Sequence, residues 1–242
     1  MRLLLCTLFL AFALPARAET ALIAVATNFR PVVDTLTEGF EADTGHRIEV
    51  SAAATGKLAA QIVAGAPFDV FLAADAATPE RLVTEGFADG DTRFTYAVGQ
   101  LVLWSADPAL DLGDPAVALR KARHVAIANP DIAPYGKAAM QSIVSMDLSD
   151  ISGKLVTGEN IGQAYALVAS GAAELGFVAG SAVTDGKGKG WTVPADRHDP
   201  IRQDAVLLAH GEGNPAATAF LDYLRSDAAA KVIARFGYTT AP

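Results

Sequence analysis

The feature that most constrains the fold is a regular alternation of short apolar runs with amphipathic stretches. Residues 21–25 form an apolar run that predicts a buried strand, and Val32, Leu36 and Phe40 then recur at the spacing of one helix face. The same order of strand and helix repeats as far as residue 73, where a third apolar run ends. Strand, helix, strand, helix, strand is typical of a parallel sheet with right-handed crossovers. The sequence therefore predicts an α/β fold.

Two lobes are predicted because the alternation continues along a chain that is long for a single core. The chain has 242 residues, of which 51% are hydrophobic, and chains of this length often divide into two cores. Long apolar strands around residues 95–105 and 202–210 are natural crossings between lobes. We predict a two-lobed fold in which each lobe is a mostly parallel sheet flanked by helices, with a ligand cleft between the lobes. Lobe I would comprise residues 19–97 plus 206–242, and lobe II residues 98–205.

The N-terminus has the pattern of a secretory signal peptide. Arg2 precedes an apolar run at residues 3–14, and the small residues Ala16 and Ala18 form a cleavage motif. The run is shorter than the roughly 20 residues that a membrane helix needs. We predict a signal peptide at residues 1–18, cleavage after Ala18 and a periplasmic location. Cleavage would remove two arginines and the only cysteine, and would change the formal net charge from −8 to −10.

Composition and motifs argue against several classes of function. The chain has 19 Lys and Arg against 27 Asp and Glu, with no basic run, so nucleic acid is a poor ligand. Its four histidines are scattered, and we predict no metal-cation ligands and no cofactor. The sequence has no G-x-S-x-G motif and no cluster of a nucleophile, a base and an oxyanion stabiliser. These features favour a binding protein over an enzyme.

The most informative residues lie where predicted strands give way to helices. Thr27-Asn28 follows the first strand and Thr55-Gly56 the second, while residues 129–136 and 159–162 lead into later helices. A helix N-terminus has unpaired N–H groups and a partial positive charge, and can therefore hold an anion. Four such junctions, two in each lobe, would enclose a small anion without any lysine or arginine.

Each junction alone also has a simpler interpretation. Threonine and asparagine before a helix are ordinary N-caps, and glycine is common in such loops. On the ligand-binding interpretation the threonines donate hydroxyl hydrogens, and Gly56, Gly136 and Gly162 let a ligand approach the backbone. We interpret the nearby acids Asp131 and Glu159 as solvated residues at the helix starts.

Six stretches of the sequence, some of which contain these junctions, are similar to stretches of known proteins. They are residues 24–28, 57–75, 97–104, 129–136, 176–181 and 220–224. In these stretches the chain resembles the periplasmic molybdate-binding proteins of ABC importers, and residues 58–75 are the most specific part. The resemblance implies a two-lobed receptor that closes on a tetrahedral oxyanion.

The resemblance also implies a set of ligand-binding residues. Carried over by position, Thr27 and Thr55 take the places of the hydroxyl donors. Tyr135 takes a place in the loop before the helix, and Ile161 that of a backbone N–H donor. Asn28 follows Thr27, as it does in one branch of the family.

Two departures from the family pattern concern the ligand groups. Many members have serines in place of the two threonines, which keeps the hydroxyl and lacks the methyl group. Many also have a tyrosine where this chain has Ala179, and we suggest that Tyr135 supplies the aromatic hydroxyl instead.

The implied function is capture of molybdate or tungstate by a monomer. The receptor would deliver the oxyanion to an inner-membrane ABC permease with its cytoplasmic ATPase. Two alternatives stay open at this point. One is a binding protein for another small anion, such as sulfate or a small carboxylate, and the other is an exported α/β enzyme.

Overall fold

The structure is a computed structural model that describes residues 18–239. The predicted signal peptide, residues 1–18, lies outside the described residues except for Ala18, so cleavage after Ala18 stays a prediction. Within the described range, no helix is both long enough and apolar enough to cross a membrane.

Strands and helices alternate along the described residues. The strands are β1 (Thr20–Ala26), β2 (Arg47–Ala53), β3 (Val70–Leu72), β4 (Ala88–Gly99), β5 (Leu101–Ser105), β6 (Val125–Ala128), β7 (Leu155–Gly158), β8 (Leu175–Ala179), β9 (Lys189–Thr192) and β10 (Ile201–Leu208). The α-helices are α1 (Arg30–Thr44), α2 (Thr55–Val63), α3 (Ala77–Thr84), α4 (Pro115–Lys121), α5 (Pro134–Ser145), α6 (Ile161–Ala169), α7 (Pro215–Leu224) and α8 (Asp227–Arg235).

The strands form two sheets of five, and one strand in each sheet runs opposite to the other four. In the first sheet the order is β2-β1-β3-β10-β4, and β10 is the reversed strand. In the second sheet the order is β7-β6-β8-β5-β9, and β5 is the reversed strand. The predicted two-lobed α/β fold with mostly parallel sheets is confirmed.

The chain passes between the two sheets at two places. β4 ends at Gly99 in the first sheet and the next strand belongs to the second, so the first crossing is at Gln100. The chain has returned to the first sheet by Ile201, where β10 begins. Residues 98–99 and 201–205 lie in strands of the first sheet, because β10 pairs with β4 from Ile201 onward and with β3 from Ala205. The lobe bounds that we placed between 97 and 98 and between 205 and 206 stay predictions.

The core of the first lobe lies on both faces of its sheet because side chains alternate along each strand. Ile23 and Val25 of β1 pack with residues of α1, α7 and α8 on one face. Ala24, between them, packs with Leu58 and Ile62 of α2 on the other face. A strand that is buried on both faces has a continuous apolar sequence, which is the pattern of the first apolar run.

Helix α1 follows its sequence signals closely. The predicted stripe of Val32, Leu36 and Phe40 is completely buried. Pro31 lies in the first turn, where its missing N–H is not needed, and Gly45 ends the helix with φ 74°, in the left-handed region that favours glycine. A 3₁₀ turn at Thr27–Phe29 separates the helix from the carboxyl end of β1, so the helix begins close to the cleft.

The second lobe has one large core, and small residues of the first lobe contact it. Ala26, Ala54 and Ala74 follow or end three parallel strands of the first sheet and pack against the core of the second lobe. Because alanine has a single methyl group, the carboxyl ends of these strands approach the other lobe closely. The cleft therefore narrows at the strand ends, where ligands bind in open α/β sheets.

Candidate functional site

Helix starts from both lobes meet at one small cavity in the cleft. Its lining comprises Ala26, Thr27, Asn28, Ala53, Ala54, Thr55, Ala74, Ala133, Pro134, Tyr135, Asn160 and Ile161. All five of the residues predicted from the family resemblance are among them. The space is about 190 Å³ when its open mouth is counted, and its enclosed part is far smaller. It is therefore well below the roughly 300–1,000 Å³ of sites for drug-sized ligands. The cavity therefore suits a ligand of few heavy atoms.

Three of the four helix starts at this cavity lack a side-chain cap. The N-cap positions are Ala26, before the 3₁₀ turn that leads into α1, Ala54 before α2 and Ala133 before α5. Alanine has no side-chain acceptor for the first N–H groups of a helix, so these groups need other partners. At α2 one of them, the N–H of Gly56, is already bonded to a carbonyl oxygen of the other lobe. The start of α6 is different, because Oδ1 of Asn160 accepts the N–H of Gln163 at 3.0 Å.

The hydroxyl of Thr55 is available as a donor. Its Oγ1 accepts the N–H of Ala74 at 3.1 Å. A hydroxyl has two lone pairs and one hydrogen, so this contact leaves the hydrogen for another acceptor. Thr55 is buried, and Thr27, at the start of the 3₁₀ turn, is half-buried beside it in the cavity lining.

Tyr135 brings a neutral phenol to the cavity from the second lobe. It lies in the first turn of α5, is 1% exposed, and its Oη accepts a hydrogen bond from Nε2 of Gln203 at 3.3 Å. Burial raises the pKa of the Tyr135 hydroxyl well above its usual value, and the nearby Tyr238 and Tyr96 add to this effect. The hydroxyl therefore stays protonated near neutral pH and can donate its hydrogen.

Asn28 and Ile161 line the cavity at the 3₁₀ turn and at the start of α6. The side chain of Asn28 is engaged behind the cavity, where its Nδ2 donates to Oε1 of Gln203 at 2.8 Å and to the Tyr238 hydroxyl at 3.0 Å. Ile161 is the first residue of α6 and is 5% exposed. If these two residues bind a ligand, the groups left for it would be the N–H groups of the 3₁₀ turn and of α6.

The two lobes touch each other directly near the cavity. The N–H of Gly56 donates to the carbonyl oxygen of Ile132 at 2.9 Å, and Nζ of Lys57 lies 2.5 Å from Oε1 of Glu159. Glu159 is therefore not a freely solvated acid as we predicted, because the start of α2 places a lysine opposite it. Asp131 is exposed, in agreement with its predicted role as a solvated acid.

The glycines at the junctions serve packing more than ligand approach. A Cβ on Gly136 would lie 2.3 Å from the carbonyl oxygen of the residue that ends β6. A Cβ on Gly56 would lie 3.1 Å from Cα of Ile132 in the other lobe. A Cβ on Gly162 would meet Oδ1 of Asn160 at 3.2 Å and Cβ of Thr27 at an ordinary contact distance of 3.7 Å. Gly136 and Gly56 thus let backbone segments and lobes approach each other, and the approach of a ligand to these glycines stays a prediction.

Electrostatics distinguish the small cavity from the groove beside it. Among the described residues, no charged side chain lines the cavity. The adjoining groove is larger, about 720 Å³ with its open side, and is lined by Asp75, Asp131 and Asp199 with a single lysine, Lys137. Burial raises the pKa of the Asp75 carboxyl. Because this groove carries more carboxylates than cations, the neutral cavity is the better candidate for an anion site.

Sequence reasoning missed the polar residues that support the cavity from behind. Gln203, Tyr238 and Ser181 are buried and bond to Asn28 from distant parts of the chain. The available signal was a glutamine and an aspartate at 203–204, directly before an apolar run. Ala179 lines a neighbouring groove and does not line the cavity, so compensation by Tyr135 stays a prediction.

Known proteins resemble this chain over nearly its whole length. Residues 21–239 match the family model described as bacterial extracellular solute-binding protein. The molybdate-binding protein ModA of Azotobacter vinelandii is 50% identical over 229 residues, which cover 92% of this chain and 91% of that protein. ModA of Rhodobacter capsulatus is 45% identical over 235 residues, covering 96% and 93%.

A solved structure agrees with these sequence matches. The Azotobacter vinelandii periplasmic molybdate-binding protein superposes with a TM-score of 0.87 at 38% identity, covering 92% of this chain and 100% of that one. The two-sheet architecture and the family match concern the same residues, 21–239. This chain therefore belongs to the family of bacterial extracellular solute-binding proteins.

Proposed function

We propose that this protein is the periplasmic substrate-binding component of a molybdate ABC importer and captures molybdate or tungstate in the small cavity. The observation that carries the proposal is the convergence of Thr27, Asn28, Thr55, Tyr135 and Ile161 on a cavity lined without charged side chains. The relatives named molybdate-binding proteins, at 50% and 45% identity over most of the chain, support this choice of ligand.

Neutral hydrogen-bond donors suit a fully deprotonated dianion. Such an ion has only acceptor oxygens, and a buried charge is stable only when hydrogen bonds replace its water. The hydroxyls of Thr55 and Tyr135 and the uncapped helix starts supply donors on rigid elements, so little ordering is needed on binding. Hydrogen bonds to a charged group are roughly twice as strong as neutral ones. This mode of capture is compatible with a protein of net charge −8.

Size and protonation would set the selectivity of the cavity. Molybdate and sulfate share charge and shape, and molybdate is larger because its bonds to oxygen are longer. Phosphate carries a proton for part of the time near neutral pH, and it then needs an acceptor. The cavity lining offers no carboxylate for that proton. We therefore expect molybdate and tungstate to bind more tightly than sulfate or phosphate.

Capture would be coupled to closure of the lobes because the donors lie on both of them. Thr55 belongs to the first lobe, while Tyr135 and Ile161 begin helices of the second. An anion that contacts both sets binds the shut form better than the open form and shifts the population toward it. The shut monomer would then deliver the anion to the membrane permease and its cytoplasmic ATPase, after export and cleavage behind Ala18.

Titration calorimetry with a panel of anions tests the proposed function. The purified protein is titrated with molybdate, tungstate, sulfate, phosphate and acetate at pH 7.5. We expect molybdate and tungstate to bind with similar affinity and at least 100-fold more tightly than the other anions. Tight binding of sulfate or a carboxylate without binding of molybdate would reject the proposal, and turnover of the titrant would indicate an enzyme.

A further inference from the structure

A group of buried polar side chains lies directly behind the cavity, and none of them is charged. We call it the hinge network, and its members are Asn28, Tyr96, Tyr135, Ser181, Gln203 and Tyr238. Gln203 has no exposed surface and lies on β10, the strand that follows the return of the chain to the first sheet. The position of this strand explains how one residue can reach both lobes.

Both ends of the Gln203 amide contact predicted ligand residues. Its Oε1 accepts hydrogen bonds from Nδ2 of Asn28 at 2.8 Å and from the Tyr96 hydroxyl at 3.1 Å. Its Nε2 donates to the hydroxyl of Tyr135 at 3.3 Å. Asn28 follows β1 in the first lobe and Tyr135 begins α5 in the second. One amide therefore connects ligand groups of the two lobes.

The backbone around Gln203 is shaped to admit this contact. Gln203 faces Ala97 on β4, whereas the next residue of β10 faces Thr95, so Tyr96 is an extra residue in the ladder. Such a β-bulge redirects side chains and is common beside functional sites. A Cβ on Gly99 would lie 2.1 Å from Oη of Tyr135 and 2.7 Å from Nε2 of Gln203. Any larger residue at 99 would therefore displace the contact between these two side chains.

The direction of the hydrogen bonds decides what the cavity presents to an anion. Because Nε2 of Gln203 donates to Tyr135, the phenol keeps its single hydrogen for an acceptor. The hydroxyl of Tyr238 is one acceptor within reach, and a bound anion would compete with it for this hydrogen. A residue at 203 with acceptors only would take that hydrogen and turn a lone pair of Tyr135 toward the anion. Gln203 also accepts one N–H of Asn28, which holds that side chain behind the 3₁₀ turn. An amide performs both tasks at once and does so at any pH.

We infer that Gln203 is a positioning residue for oxyanion binding: it directs the hydroxyl hydrogen of Tyr135 into the cavity and fixes Asn28 behind the turn. This inference rests on the proposed function, because it concerns the same cavity. It adds a residue that lies outside the cavity lining and acts through the groups that touch the ligand.

A double-mutant cycle tests whether Gln203 acts through Tyr135. Molybdate affinity is measured for the unmutated protein, Gln203→Leu, Tyr135→Phe and the double variant. We expect Gln203→Leu to weaken binding about tenfold in the parent and less than threefold when Tyr135→Phe is already present. A residue that only fills space would reduce affinity by the same factor in both backgrounds, and that result would overturn the inference.

Rescue by a conservative variant gives a second readout that packing alone does not predict. In Gln203→Glu the buried carboxyl is expected to have a raised pKa, which burial can bring to about 8 or 9. The protonated acid has one donor and one acceptor end, as glutamine does, whereas the carboxylate has acceptors only. Affinity should therefore lie within about threefold of the parent at pH 6 and fall by up to tenfold per pH unit once the carboxyl ionises.

Two controls separate the possible failures. Gln61→Leu removes the amide of a half-buried glutamine, whose buried Oε1 has no hydrogen-bond partner among the described residues, and it should leave affinity within twofold. Gln203→Leu should stay weak at every pH, and an equally weak Gln203→Glu at pH 6 would contradict the inference. If the unmutated protein binds no molybdate or tungstate, the proposed function fails instead, and that failure is visible before any variant is made.

Discussion

Replacement of Tyr135 by phenylalanine removes one hydroxyl from the centre of the predicted site. The ring is 1% exposed and the hydroxyl lies between the cavity and Nε2 of Gln203, so Tyr135→Phe keeps the packing and deletes a donor. A hydrogen bond to a charged group contributes about 1.5–3 kcal/mol. At about 1.4 kcal/mol per tenfold, the affinity for molybdate should fall about 10- to 150-fold.

The same substitution should also lower the stability of the protein without ligand. It leaves Nε2 of Gln203, which is completely buried, without its partner at Tyr135. An unsatisfied buried donor costs about 1–3 kcal/mol, which corresponds to a decrease in Tm of a few degrees for a protein of this size. Stability and affinity should therefore fall together. The loss of stability reports the bond between the hydroxyl and Gln203, and the loss of affinity reports its bond to the ligand.

Titration calorimetry and thermal denaturation measure the two effects separately. Tyr223→Phe is a matched control, because Tyr223 is a half-buried tyrosine of α7 that does not line the cavity, and it should leave the affinity unchanged. Parent affinity in Tyr135→Phe, with the expected loss of Tm, would refute donation by this hydroxyl to the ligand. Such a result would also remove the reason to regard Tyr135 as a replacement for the tyrosine that many family members have at the position of Ala179.

Three further predictions concern other groups at the cleft. Thr27→Ala and Thr55→Ala should each weaken molybdate binding by about 1–3 kcal/mol, and calorimetric affinities equal to the parent in both would show that the site is misplaced. Glu159→Gln removes the ion pair across the cleft, which is half-exposed and contributes at most about 1 kcal/mol. Ligand dissociation in stopped-flow experiments should become up to about fivefold faster at low salt, with the difference vanishing at high salt; equal rates at low salt would contradict this. Gly136→Ala places a Cβ 2.3 Å from a carbonyl oxygen and should reduce the free energy of unfolding by about 1–3 kcal/mol, whereas full stability in urea titrations would contradict this placement.

The alternation of apolar runs was sufficient to predict the fold because local periodicity determines which faces are buried. The stripe on α1 and the strands on either side of it are as predicted. The two edge strands of the second sheet, β7 and β9, were missed because each has four residues and only one of these eight residues is buried. Residues 185–190 contain three glycines and two lysines, a composition typical of an exposed turn, yet Lys189 begins β9 and pairs with Ser105 of β5. An edge strand has a neighbouring strand on one side only, so fewer of its residues are buried and its apolar pattern is weaker.

The candidate site was predictable only where a helix start marks it in the sequence. Thr27, Thr55 and Ile161 stand at the starts of helical segments, so the position of a donor follows from local sequence. Gln203 and Tyr238 are 175 and 210 residues from Asn28, and no local pattern connects such distant residues. The place of β10 in the first sheet could not be predicted for the same reason, because its partners β3 and β4 are distant in the chain.

The position of β10 has a consequence for the order in which the lobes can form. The second sheet consists of strands from residues 101–192, whereas β10, at residues 201–208, lies between β3 and β4 inside the first sheet. During export from the N-terminus onward, the second lobe is complete while the first still lacks an internal strand. β3 and β4 then have unpaired edges, which are sites of aggregation. We expect the second lobe to fold first, and the period between its completion and the emergence of β10 to be the most vulnerable stage of secretion.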